Sequence, residues 1–387
     1  MQINHVDLIP LLRGALEYET TARGLMPWRL PSWAREQSFD PAVGRVAGEP
    51  TGVRLDFHTA ATSVVLLTHP TRRVSSDSAA PQAFYDVILD GALFARLPSP
   101  GEDAGTTLRT DQATGKVTTT KGPDARLSVP DLPAGEHHVQ IWLPHNETTE
   151  LIGLLSDADV RPSPTASRLH WLHHGSSISH GFDAAHPSGT WPAVAAAAAG
   201  VELTNLGLAG QAMLDPFTAR TLRSAEADVI SVKLGINIVN ADTMRLRTFV
   251  PAVHGFLDTI REGRHAHTPL LLISPLHCGI QEATPGPLLF EELDAGPRYS
   301  ALGDPDEVSQ GRLNLQGVRT ALRQIADQRM ATDPHLHFLD GLELFGAADE
   351  AELPFRDQLH PGSEAHLRIG ERFANVALAP GGPLNLQ

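Results

Sequence analysis

The sequence has a single cysteine, Cys278, in 387 residues, so no intramolecular disulfide can form. It also lacks any basic run to set against its acidity: 30 lysines and arginines face 45 aspartates and glutamates, a formal charge of −15. Such a field repels phosphate backbones and anionic lipid surfaces, so neither nucleic acid nor a membrane is expected as a partner. The bland consequence of the acidity is solubility. No apolar run reaches the length that spans a bilayer. The start, MQINHVDLIPLLRGALEYE, has no basic stretch leading into a sustained apolar segment and a small-residue cleavage site, and a cytoplasmic location is expected. What is present is an ordinary globular mix, 41% hydrophobic and 19% charged, in a chain long enough for two domains.

The two halves differ in texture. From about residue 43 to 160 short β-rich segments alternate with turn residues. Val53-Arg54-Leu55-Asp56-Phe57 alternates apolar and polar positions, and residues 63–68 form a β-branched run. Residues 84–89 run into Asp90-Gly91, a strong hairpin signal, before residues 92–95. His138-Val139-Gln140-Ile141-Trp142 alternates again after the turn Pro133-Ala134-Gly135. Short strands at this spacing predict an all-β, jelly-roll-like sandwich over 1–160. Residues 161–165, Arg-Pro-Ser-Pro-Thr, read as a linker.

Over 161–387 the rhythm becomes strand, loop, helix, repeated. Strands are predicted at 169–173, 201–205, 228–234, 270–274 and 336–339. Thr190 is a candidate N-cap for an alanine-rich helix closed by Gly200, and helical periodicity recurs over 249–262, 308–330 and 362–377. This alternation predicts a parallel five-stranded sheet with helices on both faces. Residues 279–306, rich in glycine, proline and acid, read as an inserted loop.

Ligands of an open α/β sheet bind beyond the carboxyl ends of its strands, and four motifs fall there. The first strand ends in His173-His174-Gly175-Ser176-Ser177-Ile178-Ser179-His180-Gly181. Gly175 permits a sharp turn that exposes the Ser177 hydroxyl, a nucleophile once a base takes its proton. The second runs into Asn205-Leu206-Gly207-Leu208-Ala209-Gly210, whose backbone N–H groups can point at a developing oxyanion. The third ends in Gly235-Ile236-Asn237, where the amide could donate to the same oxygen. Before the last helix stands Asp357-Gln358-Leu359-His360-Pro361-Gly362. His360 has the chemistry of a base near neutral pH, and Asp357 is near enough to fold its carboxylate back onto the ring. Taken singly, each motif also fits a plain turn or cap; their common position is what chance does not readily supply.

The set resembles the SGNH (GDSL-like) hydrolase superfamily, whose four blocks contribute Ser, Gly, Asn and His in this chain order. The resemblance covers residues 168–377. It implies a flavodoxin-like α/β domain with Ser177 as nucleophile, His360 as base and Asp357 as its orienting acid. The implied oxyanion hole is the N–H of Ser177, the N–H of Gly210 and the side-chain amide of Asn237. The usual Gly-Asp-Ser-Leu is here Gly175-Ser176-Ser177-Ile178, with Ser176 in place of an aspartate that is usually structural. The Asp-x-x-His-Pro block is the most specific of the four. Ahead of it, residues 133–146 fit the β-rich domain that precedes the SGNH domain in two-domain bacterial carbohydrate esterases. That domain also occurs in an actinomycete group that includes a tetracycline-pathway acyltransferase.

The expected activity is hydrolysis of carboxylic esters, of an O-acylated sugar or secondary metabolite, through a serine acyl-enzyme. Transfer of the acyl group from a thioester to a natural-product alcohol uses the same residues, and an inactive binding protein is the non-enzymatic alternative. The expected partner is a small-molecule ester or acyl donor, with no cofactor. No metal is expected on His170, His173 and His174, because on a strand His173 faces away from the other two. Cys278, after His277, reads as a small buried hydrophobe or a residue lining the site. Trp171 and Trp191 read as core. His180 and His186, just past the serine, are candidates for touching substrate.

Overall fold

The computed structural model describes residues 4–75, 81–111, 113–164, 168–293 and 296–385. The chain divides into two compact units, Met1–Ser167 with His186–Ser188, and Arg168–Ala185 with Gly189–Gln387. Among the described residues no helix is long and apolar enough to cross a membrane.

The first unit contains an eight-stranded and a six-stranded sheet. Alternation along the strands turns one face of each inward: Leu55 and Phe57, Val87, Val139 and Ile141 of one sheet meet Leu66, Leu151 and Leu154 of the other in a single buried cluster. At Asp90-Gly91 both residues take positive φ, 49° and 87°, the geometry of a two-residue hairpin turn between Phe84–Leu89 and Ala92–Pro98. Two features depart from the sequence reading. The unit is not all-β, since helices Ser32–Gln37 and Pro41–Gly48 lie in it, the second capped by the Asp40 carboxylate accepting from the Ala42 N–H. Val160–Pro162 is a strand paired with Arg54–Thr59 rather than the start of a linker, and Thr165 lies outside the described residues.

In the second unit five strands pair in parallel. Their spatial order is Glu202–Gly207, His170–Gly175, Val229–Lys233, Leu270–Ile273 and Leu336–Leu339. The order reverses at His170–Gly175, where the chain first adds Glu202–Gly207 on one side and then Val229–Lys233 on the other, and such a reversal opens a crevice at the carboxyl ends of the strands. The faces are covered by helices on either side. On one, Trp171 stacks on Phe373 of helix Ser363–Phe373, ring centroids 4.9 Å apart, and both meet Trp191 of helix Trp191–Ala199. On the other, the His174 ring lies 5.9 Å from Phe256 of helix Leu246–Arg261. Thr190 stands at the N-cap of the alanine-rich helix, and Gly200 ends it in the left-handed conformation. The region 279–306 is more ordered than a loop: strands Leu288–Leu293 and Gly296–Ala301 form an antiparallel hairpin around residues 294–295, which lie outside the description.

A glycine at the end of a sheet strand sets one contact that matters below. A Cβ on Gly207 would come 2.4 Å from the backbone nitrogen of His180 and 2.5 Å from the carbonyl carbon of Ser179. Both are main-chain atoms of the helix Ser177–His180 and cannot swing aside. Gly207→Ala therefore lowers stability by about 1–3 kcal/mol, the usual cost of overpacking. Thermal unfolding reads the loss directly, and a wild-type midpoint would show that this helix can lift off its strand.

Candidate active site

The strand His170–Gly175 leads into Ser176, in extended conformation, and Ser177 opens a four-residue helix. Several contacts hold that helix down. A Cβ on Gly175 would meet the Ser179 Oγ at 2.3 Å. The Asn205 amide donates to the Ser179 carbonyl at 2.8 Å and accepts from the Gly207 N–H at 2.8 Å. Ser179 Oγ is hydrogen-bonded to His173 Nε2, and His173 Nδ1 to Ser231 Oγ, at 2.8 and 2.7 Å. Burial, with His174 and Lys233 nearby, holds the His173 ring well below its ordinary pKa, so it is neutral. It is a strut under the turn. As the strand geometry requires, His173 shares a face with Trp171 and Trp191 while His174 faces Phe256.

Asp357, Gln358, Leu359 and His360 form a compact turn. Gln358 takes φ of 72°, a conformation uncommon for a residue with a side chain. It lets one carboxylate meet three donors: Asp357 Oδ1 accepts from the Leu359 and His360 N–H groups at 2.9 and 2.8 Å, and Oδ2 accepts from His360 Nδ1 at 2.6 Å. Burial alone would raise the Asp357 pKa, but these hydrogen bonds and the nearby imidazole outweigh it and hold the carboxyl below the ordinary carboxylate range. Because Nδ1 donates to Asp357, Nε2 of a neutral His360 presents its lone pair. Ser177 Oγ is 3.0 Å from that nitrogen and donates to it. Asp357 does not cap the last helix, whose N-cap is Gly362.

The two other blocks border the same strand ends. Gly210 is exposed, in the turn that follows Glu202–Gly207, with φ of 70°. Asn237 is not a turn residue: it lies in the short helix Ile236–Asn240 and is buried. Its Oδ1 accepts from the Ala212 N–H at 3.1 Å, which ties the loop carrying Gly210 to this helix and fixes the amide orientation. The Asn237 NH2 group is thereby left as the donor available to a ligand.

The remaining candidates separate. His180 is buried, and its N–H closes the short helix onto the Ser176 carbonyl. His186 donates to the Asp86 carboxylate within the first unit, at 2.7 Å, instead of standing beside the serine. His277 pairs with Glu350 at 2.6 Å. Cys278 is buried, its thiol pushed up by burial and by nearby carboxylates, and contacts the Gln358 carbonyl behind the Asp357 turn. Among the described residues no group of three or more His, Cys, Asp or Glu is placed to hold a metal ion. Sequence reasoning missed Asn205, Ser179 and Ser231, whose roles depend on strand neighbours. It also missed Phe182 and Tyr299, whose rings meet the His360 ring at centroid distances of 4.4 and 5.7 Å.

Residues 11–121 match the family model described as SsfX3, N-terminal domain. No curated protein sequence matches. Among solved structures, the salicylyl-acyltransferase SsfX3 from a tetracycline biosynthetic pathway is similar over 96% of this chain and 95% of that one, with 26% identity and a TM-score of 0.78. A protein of Bacteroides ovatus described as a GDSL-like lipase is similar over 96% of each chain, at 19% identity and a TM-score of 0.65. A family two carbohydrate esterase from Cellvibrio japonicus is similar over 97% of this chain and 96% of that one, at 12% identity and a TM-score of 0.57. The last two likenesses concern the fold. Together the findings support a fold shared over nearly the whole chain with these acyltransferase, lipase and esterase structures.

The depressed pKa of Asp357 has a consequence for stability. A carboxyl whose folded pKa lies below its unfolded value, about 4, contributes stability that is fully present above that value. The contribution is lost as pH falls through the lower folded pKa. The stability gap between wild type and Asp357→Asn is therefore expected to be constant from pH 7 to about 5 and to shrink below about 4. Urea unfolding across that range measures it, and a gap that stays constant to the acid limit would show that the carboxylate is not held by its donors.

Proposed function

We propose that this SGNH-like chain is a serine-dependent acyl-transfer enzyme that hydrolyses carboxylic esters, with a small-molecule ester or acyl donor as its partner. Ser177 is the nucleophile, His360 the general base and Asp357 the acid that orients it. The reading rests on the unbroken hydrogen-bond run from the Ser177 hydroxyl through the His360 ring to the Asp357 carboxylate, 3.0 and 2.6 Å long. In acylation His360 Nε2 takes the Ser177 proton as Oγ bonds to the ester carbonyl carbon. Charge moves onto the carbonyl oxygen, where the N–H groups of Ser177 and Gly210 and the Asn237 amide stabilise it. The C–O bond then breaks, the alcohol leaves with the proton from His360, and an acyl-enzyme remains. Water, deprotonated by the same ring, releases the acid.

The charge of −15 supports an ester donor over a phosphate-rich thioester carrier, which it would repel. A second reading is favoured by the full-length likeness to a salicylyl-acyltransferase: O-acyl transfer from a thioester to a natural-product alcohol. The two differ only in what discharges the acyl-enzyme.

A fluorophosphonate probe and small aryl acetates test the proposal together. The probe labels wild type and Ser176→Ala but not Ser177→Ala, and the aryl acetates turn over repeatedly with no alcohol added. Labelling that persists without Ser177 overturns the nucleophile and leaves an inactive scaffold as the better account. An acyl-enzyme that discharges only when an alcohol is supplied decides for the transferase. Separately, Asn237→Ala is expected to lower kcat by about 10²–10³, the usual loss for one oxyanion donor, with a much smaller change in KM. Near-normal turnover in that variant would confine Asn237 to the contact with Ala212.

A further inference from the structure

Aromatic rings flank the His360 imidazole, and the bond-making steps do not require them. The Phe182 ring lies 4.4 Å from the imidazole, inclined at 37°. Tyr299, on the strand Gly296–Ala301, meets the imidazole edge-on at 5.7 Å and 77°. Phe290, directly opposite Tyr299 in the hairpin register, lies 5.2 Å from it at 52°. The two rings that meet the imidazole are both anchored. The Phe182 carbonyl accepts from His366 Nε2, and the Tyr299 N–H donates to the Asp357 carbonyl. Yet Phe182 and Phe290 are 49% and 47% exposed. Isolated exposed rings are ordinary on a protein surface; rings that flank the candidate base, one of them backed by a third, are a built feature.

The chemistry tells which half of an ester would meet it. The alcohol oxygen must come within hydrogen-bond reach of His360 Nε2 to receive its proton, whereas the carbonyl oxygen is held by the donors from the other loops. Groups packed around the imidazole therefore border the alcohol. Resting on the acyl-transfer reading above, we infer that Phe182, Tyr299 and Phe290 form the subsite for the alcohol half of the substrate and select a flat aromatic alcohol. Rings set at 37°, 77° and 52° to their neighbours make walls rather than one level platform. They can grip a planar ring by faces and edges at once. A sugar would need several polar partners to fix its hydroxyls, and the three side chains carry only the Tyr299 hydroxyl.

The test uses acetates of ethanol, benzyl alcohol, 2-naphthylmethanol and methyl glucoside, alcohols of broadly similar acidity, with hydroxylamine as common acceptor so that either enzyme reading turns over. In wild type, kcat/KM rises from the ethyl to the benzyl to the naphthylmethyl ester. In Phe182→Ala and Phe290→Ala the naphthylmethyl-to-ethyl ratio falls by about five- to tenfold, the scale of one lost aromatic contact, and the fall is carried by KM. A wild type without this preference, a preference for the glucoside ester, or a ratio unchanged in the double variant overturns the inference. Fluorophosphonate labelling of the same preparations separates the failures. A labelled enzyme without aromatic preference loses only the subsite, while an unlabelled one loses the acyl-transfer reading as well.

Discussion

The serine's position depends on a close approach that one methyl group would prevent. Gly175 and Gly207 end neighbouring parallel strands in register with each other. With no side chain on Gly207, the backbone of the helix Ser177–His180 settles directly onto the strand end. Asn205 then ties that helix from below through the Ser179 carbonyl, and His173 braces the Ser179 hydroxyl. The carrier of the Ser177 hydroxyl is thereby fixed to the sheet by main-chain contact, and for the nucleophile proposed above the entropy of placing it is lost on folding rather than in each reaction cycle.

The candidate base is arranged on a different principle. Asp357 and His360 are three residues apart and reach their mutual geometry through one short turn, with Gln358 in the left-handed region to close it. The pair is thus set locally. Its contact with Ser177 spans 183 residues of sequence and depends on the whole sheet being assembled. The cost of burying a carboxylate is met inside the same turn, where two backbone N–H groups and the ring nitrogen satisfy it. Tyr299 adds a backbone hydrogen bond to the Asp357 carbonyl, so the hairpin helps hold the turn in place.

How much of this was legible follows from the range of each interaction. Strand and helix alternation after residue 168 could be read because buried parallel strands form apolar runs: the predicted 270–274 and 336–339 overlap Leu270–Ile273 and Leu336–Leu339. The contact between the Asp357 carboxylate and the His360 ring could be read because it is local. Asn237 could be noticed but not placed, since a five-residue helix following Gly235 has too few positions to show a period. The hairpin within 279–306 was hidden by glycine, proline and acid, which mask strand alternation on an exposed ribbon. Helices Ser32–Gln37 and Pro41–Gly48 were lost in a segment without β signals, although Asp40 before Pro41 is an N-cap pattern. The Asn205–Ser179–His173–Ser231 network had no sequence signal, because each link joins residues that only strand pairing brings together.

Burial divides the site into two kinds of surface. Ser177, Asp357, His360 and Asn237 are 7%, 6%, 4% and 1% exposed, and each is held by named hydrogen bonds. Phe182 and Phe290 are about half exposed and are held mainly by packing on one side. A change to the first set leaves a buried polar group without its partner, which is expensive and damages the reaction itself. A change to the second alters the apolar area offered to a substrate and leaves the hydrogen-bonded run intact. The hairpin enters between the fourth and fifth strands of the sheet, whereas the serine and the Asn237 amide belong to the first three. Phe290 and Tyr299 are thus carried by a segment separate from the serine, whereas Phe182 follows the helix Ser177–His180 directly and its N–H donates to the Ser177 carbonyl at 2.9 Å. On the acyl-transfer reading proposed above, the buried set fixes the reaction type and the exposed rings the choice of alcohol.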